Sequence, residues 1–303
     1  MSAPSRLAPS LALGPVQYNW PVDDWRDFYF RIADEAPVDT VYVGETVCSK
    51  RTPFYAPVLP EVIERLTDAG KEVIISTLSL VMSGPERAEL VETTGADFMV
   101  EANDMAAVAL LEGRRHVIGP TINVYNEATL AVLARRGAQR VCLPAELARE
   151  AITALAADPP ADLEVQVFGR LPLAISARCY HARAHGLSKD SCRYVCAEDR
   201  DGLALDTLDH EAFLTVNGVQ TQSHSYCNLI GELADLQALG VTRFRLWPQD
   251  CDMVAVAALF RRVAEGALAA DEALAQLEDI TGGVAFSNGF YHGCEGVAAI
   301  GVA

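Results

Sequence analysis

The chain has 303 residues, half of them hydrophobic and 21% charged, an ordinary globular composition that excludes an extended disordered protein. Its 24 Lys and Arg stand against 41 Asp and Glu, a formal net charge of −17, and this acidity counts against nucleic acid as a partner. The longest apolar run, 253–260, has eight residues, far short of the roughly 18–20 that span a bilayer.

The N-terminal stretch carries one basic residue, Arg6, and a broken apolar segment that runs straight into strand-like sequence. It does not read as an export signal, so the chain is expected in the reducing cytoplasm. Strand-like runs follow at 11–18, 39–43, 72–77, 97–101, 116–118, 140–143, 164–168 and 242–246. Helix-period segments fall between them at 61–70, 106–112, 127–137, 145–156 and 228–240, with another at 252–266. In the first of these Val62, Ile63 and Leu66 share a face; in the last Met253, Val256, Ala257, Phe260 and Val263 do, with Asp250 as the expected N-cap. Gly70, Gly95, Gly137 and Gly240 each stand where a left-handed residue ends a helix before the next strand.

Strands alternating with helices predict a parallel sheet covered on both faces. Eight such units point to an α/β fold of the TIM-like (β/α) barrel type, organised as a single domain over 1–303. No G-x-G-x-x-G follows the first strand, which counts against a dinucleotide-binding sheet. About sixty residues separate the seventh strand from the next helix, too many for an ordinary βα loop. Two strand pieces there, 213–216 and 219–222, flank Asn217-Gly218, a strong hairpin signal. Residues 170–226 are therefore expected to form an inserted loop and hairpin at the carboxyl end of the barrel, where active sites of this architecture lie. A glycine-rich tail after Thr281 is expected to close over one end of the barrel.

Eight cysteines in a reducing compartment do not read as four disulfides. Cys179, Cys192 and Cys196 lie in the insertion as Cys-x12-Cys-x3-Cys, and Cys48 follows the second strand on the same expected face. Four thiolates from two loops suit Zn²⁺ or an iron–sulfur cluster. The spacing fits a [4Fe-4S] cube better than the paired Cys-x2-Cys knuckles of structural zinc, and plain buried thiols are the third reading. The C-x3-C-x2-C of radical-SAM enzymes is absent, since Asp199 stands third after Cys196. A Cys179–His181 catalytic pair is a weaker alternative. Cys142, Cys227 and Cys251 read as structural, and Cys294 as a reserve ligand. Arg178, His181, Arg183, His185, Lys189 and Arg193 crowd into sixteen residues around these cysteines, offsetting thiolate charge or attracting an anion. Glu45, Asn123, Arg170, Arg178, Arg245 and Trp247, at or beyond strand ends, are the candidate pocket residues; His224 and His292 are isolated.

Cys48 in its loop, then CYHARAHGLSKDSCRYVC, then YCNLIGELADLQALGVTRFRLWPQ, resemble the collagenase-like peptidase superfamily, of YhbU/YhbV type. Within it the chain is most similar to the UbiV-like accessory proteins of oxygen-independent ubiquinone biosynthesis, over nearly its whole length. The resemblance implies a [4Fe-4S] cluster on Cys48, Cys179, Cys192 and Cys196. It also implies a heterodimer with a UbiU-like partner, cooperation with a sterol-carrier-like lipid-binding protein, and anaerobic hydroxylation of a quinone precursor with prephenate as oxygen donor. Four cysteine ligands leave no open iron site, so electron transfer or a structural role is expected rather than direct ligation of substrate, and electron transfer is the working reading. Peptidase activity is not expected, because H-E-x-x-H and G-x-S-x-G are both missing. An RNA-base hydroxylase of the same superfamily and a zinc-stabilised, non-catalytic scaffold are the alternatives.

Overall fold

A computed structural model describes residues 8–301. The strands, in chain order, are β1 (Ser10–Leu13), β2 (Thr40–Val43), β3 (Glu72–Ser76), β4 (Met99–Ala102), β5 (His116–Ile118), β6 (Ala138–Cys142), β7 (Asp162–Ile175), β8 (Leu203–Asp206), β9 (Ala212–Asn217), β10 (Gln220–Asn228), β11 (Arg243–Leu246) and β12 (Phe286–Ser287). The helices are α1 (Val22–Glu35), α2 (Thr52–Tyr55), α3 (Leu59–Asp68), α4 (Gly84–Gly95), α5 (Met105–Leu110), α6 (Glu127–Arg135), α7 (Arg149–Ala156), α8 (Tyr180–Ala184), α9 (Leu233–Ala238), α10 (Met253–Ala264) and α11 (Ala270–Ile280). Among them no helix is long and apolar enough to cross a membrane.

Strands β1 to β7 pair in parallel order, β11 pairs with both β7 and β1, and the ring closes as an eight-stranded barrel. All eight strands expected from the sequence form it. β1 stops at Leu13, not Tyr18, because Gly14 and Pro15 follow and proline has no N–H for a ladder. Strand alternation splits the apolar residues: Leu11, Leu13, Val41 and Val43 join the main core beneath the helices, while Ala12, Tyr42, Ile74 and Val117 cluster apart from it.

The helices α1, α2, α4, α8 and α11 are absent from the sequence-derived set. α1 buries Trp25, Tyr29 and Ile32 at 3–4-residue spacing, and α4 carries Gly84, Pro85 and Gly95, which obscure its period. A reciprocal capping box between Ser83 and Glu86 starts α4. Gly95 ends α4 without a left-handed backbone, unlike Gly70, Gly137 and Gly240, whose φ values are +77°, +111° and +97°. The helix expected at 228–240 is confined to α9, because Asn228 pairs with Phe168 as the last residue of β10. The N-cap of α10 is Asp252, whose Oδ1 accepts from Val254 and Ala255; Asp250 pairs with Arg200 instead.

Beyond the barrel β7 continues to Ile175 and pairs antiparallel with β10, which in turn carries β9 and β8. The expected hairpin is thus present, with its two connecting residues at Gly218 and Val219. Within the tail β12 pairs with β10, and Tyr291 reaches Asp235 on α9 at 2.5 Å. The tail packs along the flank of β10 and against the loop after β6, at the carboxyl end of the barrel.

Candidate metal centre

The loop after β2 turns sharply at Gly44, where φ is +119° and a Cβ would stand 2.6 Å from the Ser76 carbonyl oxygen. Next, the buried Glu45 carboxylate folds the chain back on itself: its Oε1 accepts from the N–H groups of Val47 (2.7 Å) and Cys48 (2.9 Å). Burial pushes its carboxyl above the usual range, against the pull of Arg51. A 3₁₀ turn, Ser49–Arg51, then sends Arg51 inward to 2% exposure. Its guanidinium donates to the Gln17 carbonyl at 2.6 Å and to Asn217 Oδ1 at 2.8 Å, while its Nε has no protein partner. Burial disfavours that charge, but Cys196, Glu45 and Cys48 around it hold the guanidinium above its ordinary value.

The insertion brings the other cysteines to the same place. Cys179 is the N-cap of α8, and its Sγ accepts from Ala182 N–H at 3.4 Å. The hairpin tip grips this segment: Ser176 N–H donates to Val219 O at 2.9 Å and His181 N–H to Gly218 O at 3.3 Å. Lys50 Nζ donates to the Lys189 carbonyl at 2.7 Å, tying the loop after β2 to the stretch before Cys192. Between Cys192 and Cys196 the chain passes through two consecutive left-handed residues, Arg193 (φ 51°) and Tyr194 (φ 56°), a costly conformation for side chains with a Cβ.

Cys48, Cys179 and Cys192 pack in one small cluster with Val47, Ala182 and Val219. Cys196 Sγ accepts from Asn19 Nδ2 at 3.6 Å and lies beside Arg51. All four are free thiols. Burial pushes the Cys48 and Cys179 thiols up; Arg51 opposes it at Cys48 and the Ala182 N–H opposes it at Cys179. Sulfurs about 2.3 Å from one tetrahedral zinc sit about 3.8 Å apart. Among the described residues, no three of these sulfurs lie within 4.8 Å of one another.

The candidate pocket residues do not share one pocket. Arg178 is exposed and, with Arg183 and Lys189, lines a cleft of about 410 Å³ that has Cys179 in its wall. Glu45 borders a separate cavity of about 90 Å³ under α4. Asn123 is exposed, in a groove between α5 and α6 far around the ring from β2. Arg170 is consumed by Asp201 at 2.5 Å and by the face of Tyr226. Arg245 is wholly enclosed inside the barrel, where Nη1 donates to Glu101 at 2.6 Å and Nε to Glu164 at 2.5 Å. It stacks on Tyr42 at 3.9 Å and lines none of the cavities described above. Of the remaining cysteines, Cys142 lies in β6 as expected, and Cys227 lies within β10 instead of at a helix start.

Sequence reasoning missed Arg51 and Asn217 as parts of this site, whereas Asn19 stands after the first strand, where the barrel reading looks for functional residues. The signal for Arg51 was its place three residues after Cys48; Asn217 carries none beyond its turn, because a neutral amide there ordinarily bends the chain.

Among solved structures, the chain is similar to a phospho-2-dehydro-3-deoxyheptonate aldolase from Thermotoga maritima, with 9% identity and a TM-score of 0.44 over 92% of this chain and 72% of that one. It is also similar to the spore coat polysaccharide biosynthesis protein SpsE of Bacillus subtilis, with 11% identity and a TM-score of 0.44 over 92% of this chain and 71% of that one. The sequence model of peptidase family U32 matches residues 27–300, and the chain belongs to that family.

Proposed function

We propose that the four cysteines hold a [4Fe-4S] cluster and that the protein works as one half of an oxygen-independent hydroxylase of the ubiquinone ring, in the cytoplasm beside a UbiU-like partner. The observation that carries this reading is the convergence of Cys48, Cys179, Cys192 and Cys196 from two loops at the carboxyl end of the barrel. The donor set fits the group. Its thiolates are soft ligands, and no three of the sulfurs lie within 4.8 Å of one another, a wider set than one tetrahedral zinc takes. The enclosed Arg51 guanidinium, with an unpartnered Nε, and the N–H groups of Ala182 and Asn19 offer donors and positive charge to an anionic thiolate centre.

When bound, such a cluster supplies one-electron transfer. The chain's own contribution is to shield it: Val47, Ala182 and Val219 exclude water on one side, and Glu45 fixes the turn that presents Cys48. The basic cleft formed by Arg178, Arg183 and Lys189 suits a small carboxylate such as prephenate, and quinone precursor would come from a sterol-carrier-like lipid-binding protein. Purification without oxygen tests the reading. A brown protein with about four irons and four sulfides per chain supports it, whereas a colourless one holding zinc on its cysteines supports the scaffold alternative. Cys192→Ala should abolish both the colour and anaerobic quinone production; normal quinone output from cluster-free protein refutes the catalytic role. Loss of a hydroxylated base from the RNA of a deletion strain would favour the RNA-modifying alternative.

A further inference from the structure

The stretch between Cys179 and Asp199 carries a second set of metal-binding atoms that uses none of the cysteines. His181 lies on α8 and His185 is its C-cap, four residues on, the spacing that brings two imidazoles to one helix face. Their rings are nearly parallel, with 9° between planes and centroids 5.7 Å apart. Asp199, which follows Cys196 closely in the chain, sets its Oδ2 2.8 Å from His181 Nε2. One ligand atom from each of the three lies within 4.8 Å of the other two, and among the described residues no other His, Cys, Asp or Glu trio is so placed.

We infer that His181, His185 and Asp199 form a mononuclear site for a borderline divalent cation, Zn²⁺ or Fe²⁺, separate from the four-cysteine centre. Ligand atoms about 2.1 Å from one tetrahedral ion stand about 3.4 Å apart, so the His181–Asp199 contact opens from 2.8 Å and the widest pair closes by at most about 1.4 Å, which rotation of the exposed His185 ring and the Asp199 carboxylate supplies. Two imidazoles and one carboxylate suit zinc or ferrous iron; Ca²⁺ and Mg²⁺ need more oxygen than the single carboxylate offers. Three protein ligands leave coordination positions for water or substrate, and His185 is exposed, so those positions open toward solvent. The His181 ring is 1% exposed and its Nδ1 has no partner, so its only side-chain hydrogen bond among the described residues is with Asp199.

The test uses full-length protein purified without oxygen, equilibrated with Zn²⁺ alone and then desalted. Zinc content, zinc affinity and the zinc X-ray absorption spectrum are compared for wild type, His185→Ala, Asp199→Asn and Cys192→Ala. The expected result is one zinc per chain with nitrogen and oxygen neighbours in the wild type, retained in Cys192→Ala, and affinity reduced at least about tenfold in the other two. Because His185 is exposed, its replacement leaves the fold intact, which circular dichroism checks. Zinc with sulfur neighbours in the wild type, uptake unchanged by His185→Ala, or no uptake overturns the inference. Iron and sulfide counts on the same samples judge the four-cysteine reading separately, since the two sites share no ligand.

Discussion

Arg51 Nη2 donates to Asn217 Oδ1 at 2.8 Å, joining the loop after β2 to the hairpin across 166 residues of sequence. The same asparagine donates from Nδ2 to the Gln17 carbonyl, so the loops after β1 and β2 and the hairpin meet at one buried guanidinium. Gly218 is required there: at φ +62° it lies in the left-handed region, and a Cβ would stand 2.8 Å from Arg51 Nη2. Arg51→Met leaves the Gln17 carbonyl and Asn217 short of a buried donor and should cost about 2–4 kcal/mol. Urea unfolding reads that loss, and the iron retained after anaerobic purification should fall with it. Arg51→Lys should recover part of both.

Inside the barrel, Arg245 pairs with two carboxylates that have no exposure of their own, and Arg140 also approaches Glu164, at 3.9 Å. Removing the guanidinium leaves Glu101 without a cationic partner and Glu164 with only the longer one, so Arg245→Met should destabilise the chain by about 3–5 kcal/mol. Glu101 is also held by Ser76 Oγ (2.7 Å) and Asn103 Nδ2 (3.0 Å), and Glu164 by the Tyr42 hydroxyl (2.8 Å). Replacing either glutamate by Gln, which keeps most of those contacts, should cost less than the arginine substitution. Equal losses in thermal unfolding would show that packing, not charge, governs the interior.

Acid should release the tail. Asp235 accepts from Arg149 and from the Tyr291 hydroxyl, and the Arg149 hydrogen bond leads in lowering its pKa from 3.8 to about 2. A carboxyl depressed in the folded state adds stability above its unfolded pKa and loses it as pH falls through the folded one. The stability difference between wild type and Asp235→Asn should therefore be constant at neutral pH, shrink below about pH 4 and level off only below about pH 2. A difference that does not shrink between about pH 4 and pH 2 would assign the effect to packing.

Gly44 tests the geometry that delivers Cys48. At φ +119°, with the Ser76 carbonyl 2.6 Å from a built Cβ, Gly44→Ala should cost about 1–3 kcal/mol and displace the turn that begins at Glu45. Gly113, also at positive φ but with nothing within 4 Å, is the control, and Gly113→Ala should cost less because only backbone strain is added.

Much of the barrel was legible in the chain because its signal is local. Apolar residues alternating over short runs, and glycines such as Gly70, Gly137 and Gly240 ending helices, marked eight strands and most of the helices between them. Where breakers sat inside an element, as with Gly84, Pro85 and Gly95 in α4, the period was lost. The spacing of Cys179, Cys192 and Cys196 marked the insertion as the place where chemistry gathers, and Asn217-Gly218 marked its hairpin.

The partners of the buried charges were not legible. Arg245 lies 81 residues from Glu164 and 144 from Glu101, and nothing in the local sequence around any of them announces the match. Standing at a strand end made Arg245 and Asn123 look like members of one pocket, yet one faces the barrel interior and the other an outer groove beside β5, across the ring from β1. The sequence by itself determined the elements and the residue types available for chemistry, because propensity and periodicity act within a few residues. Ring closure alone decided which of those residues meet, since burial and charge pairing depend on side chains brought together from distant parts of the chain.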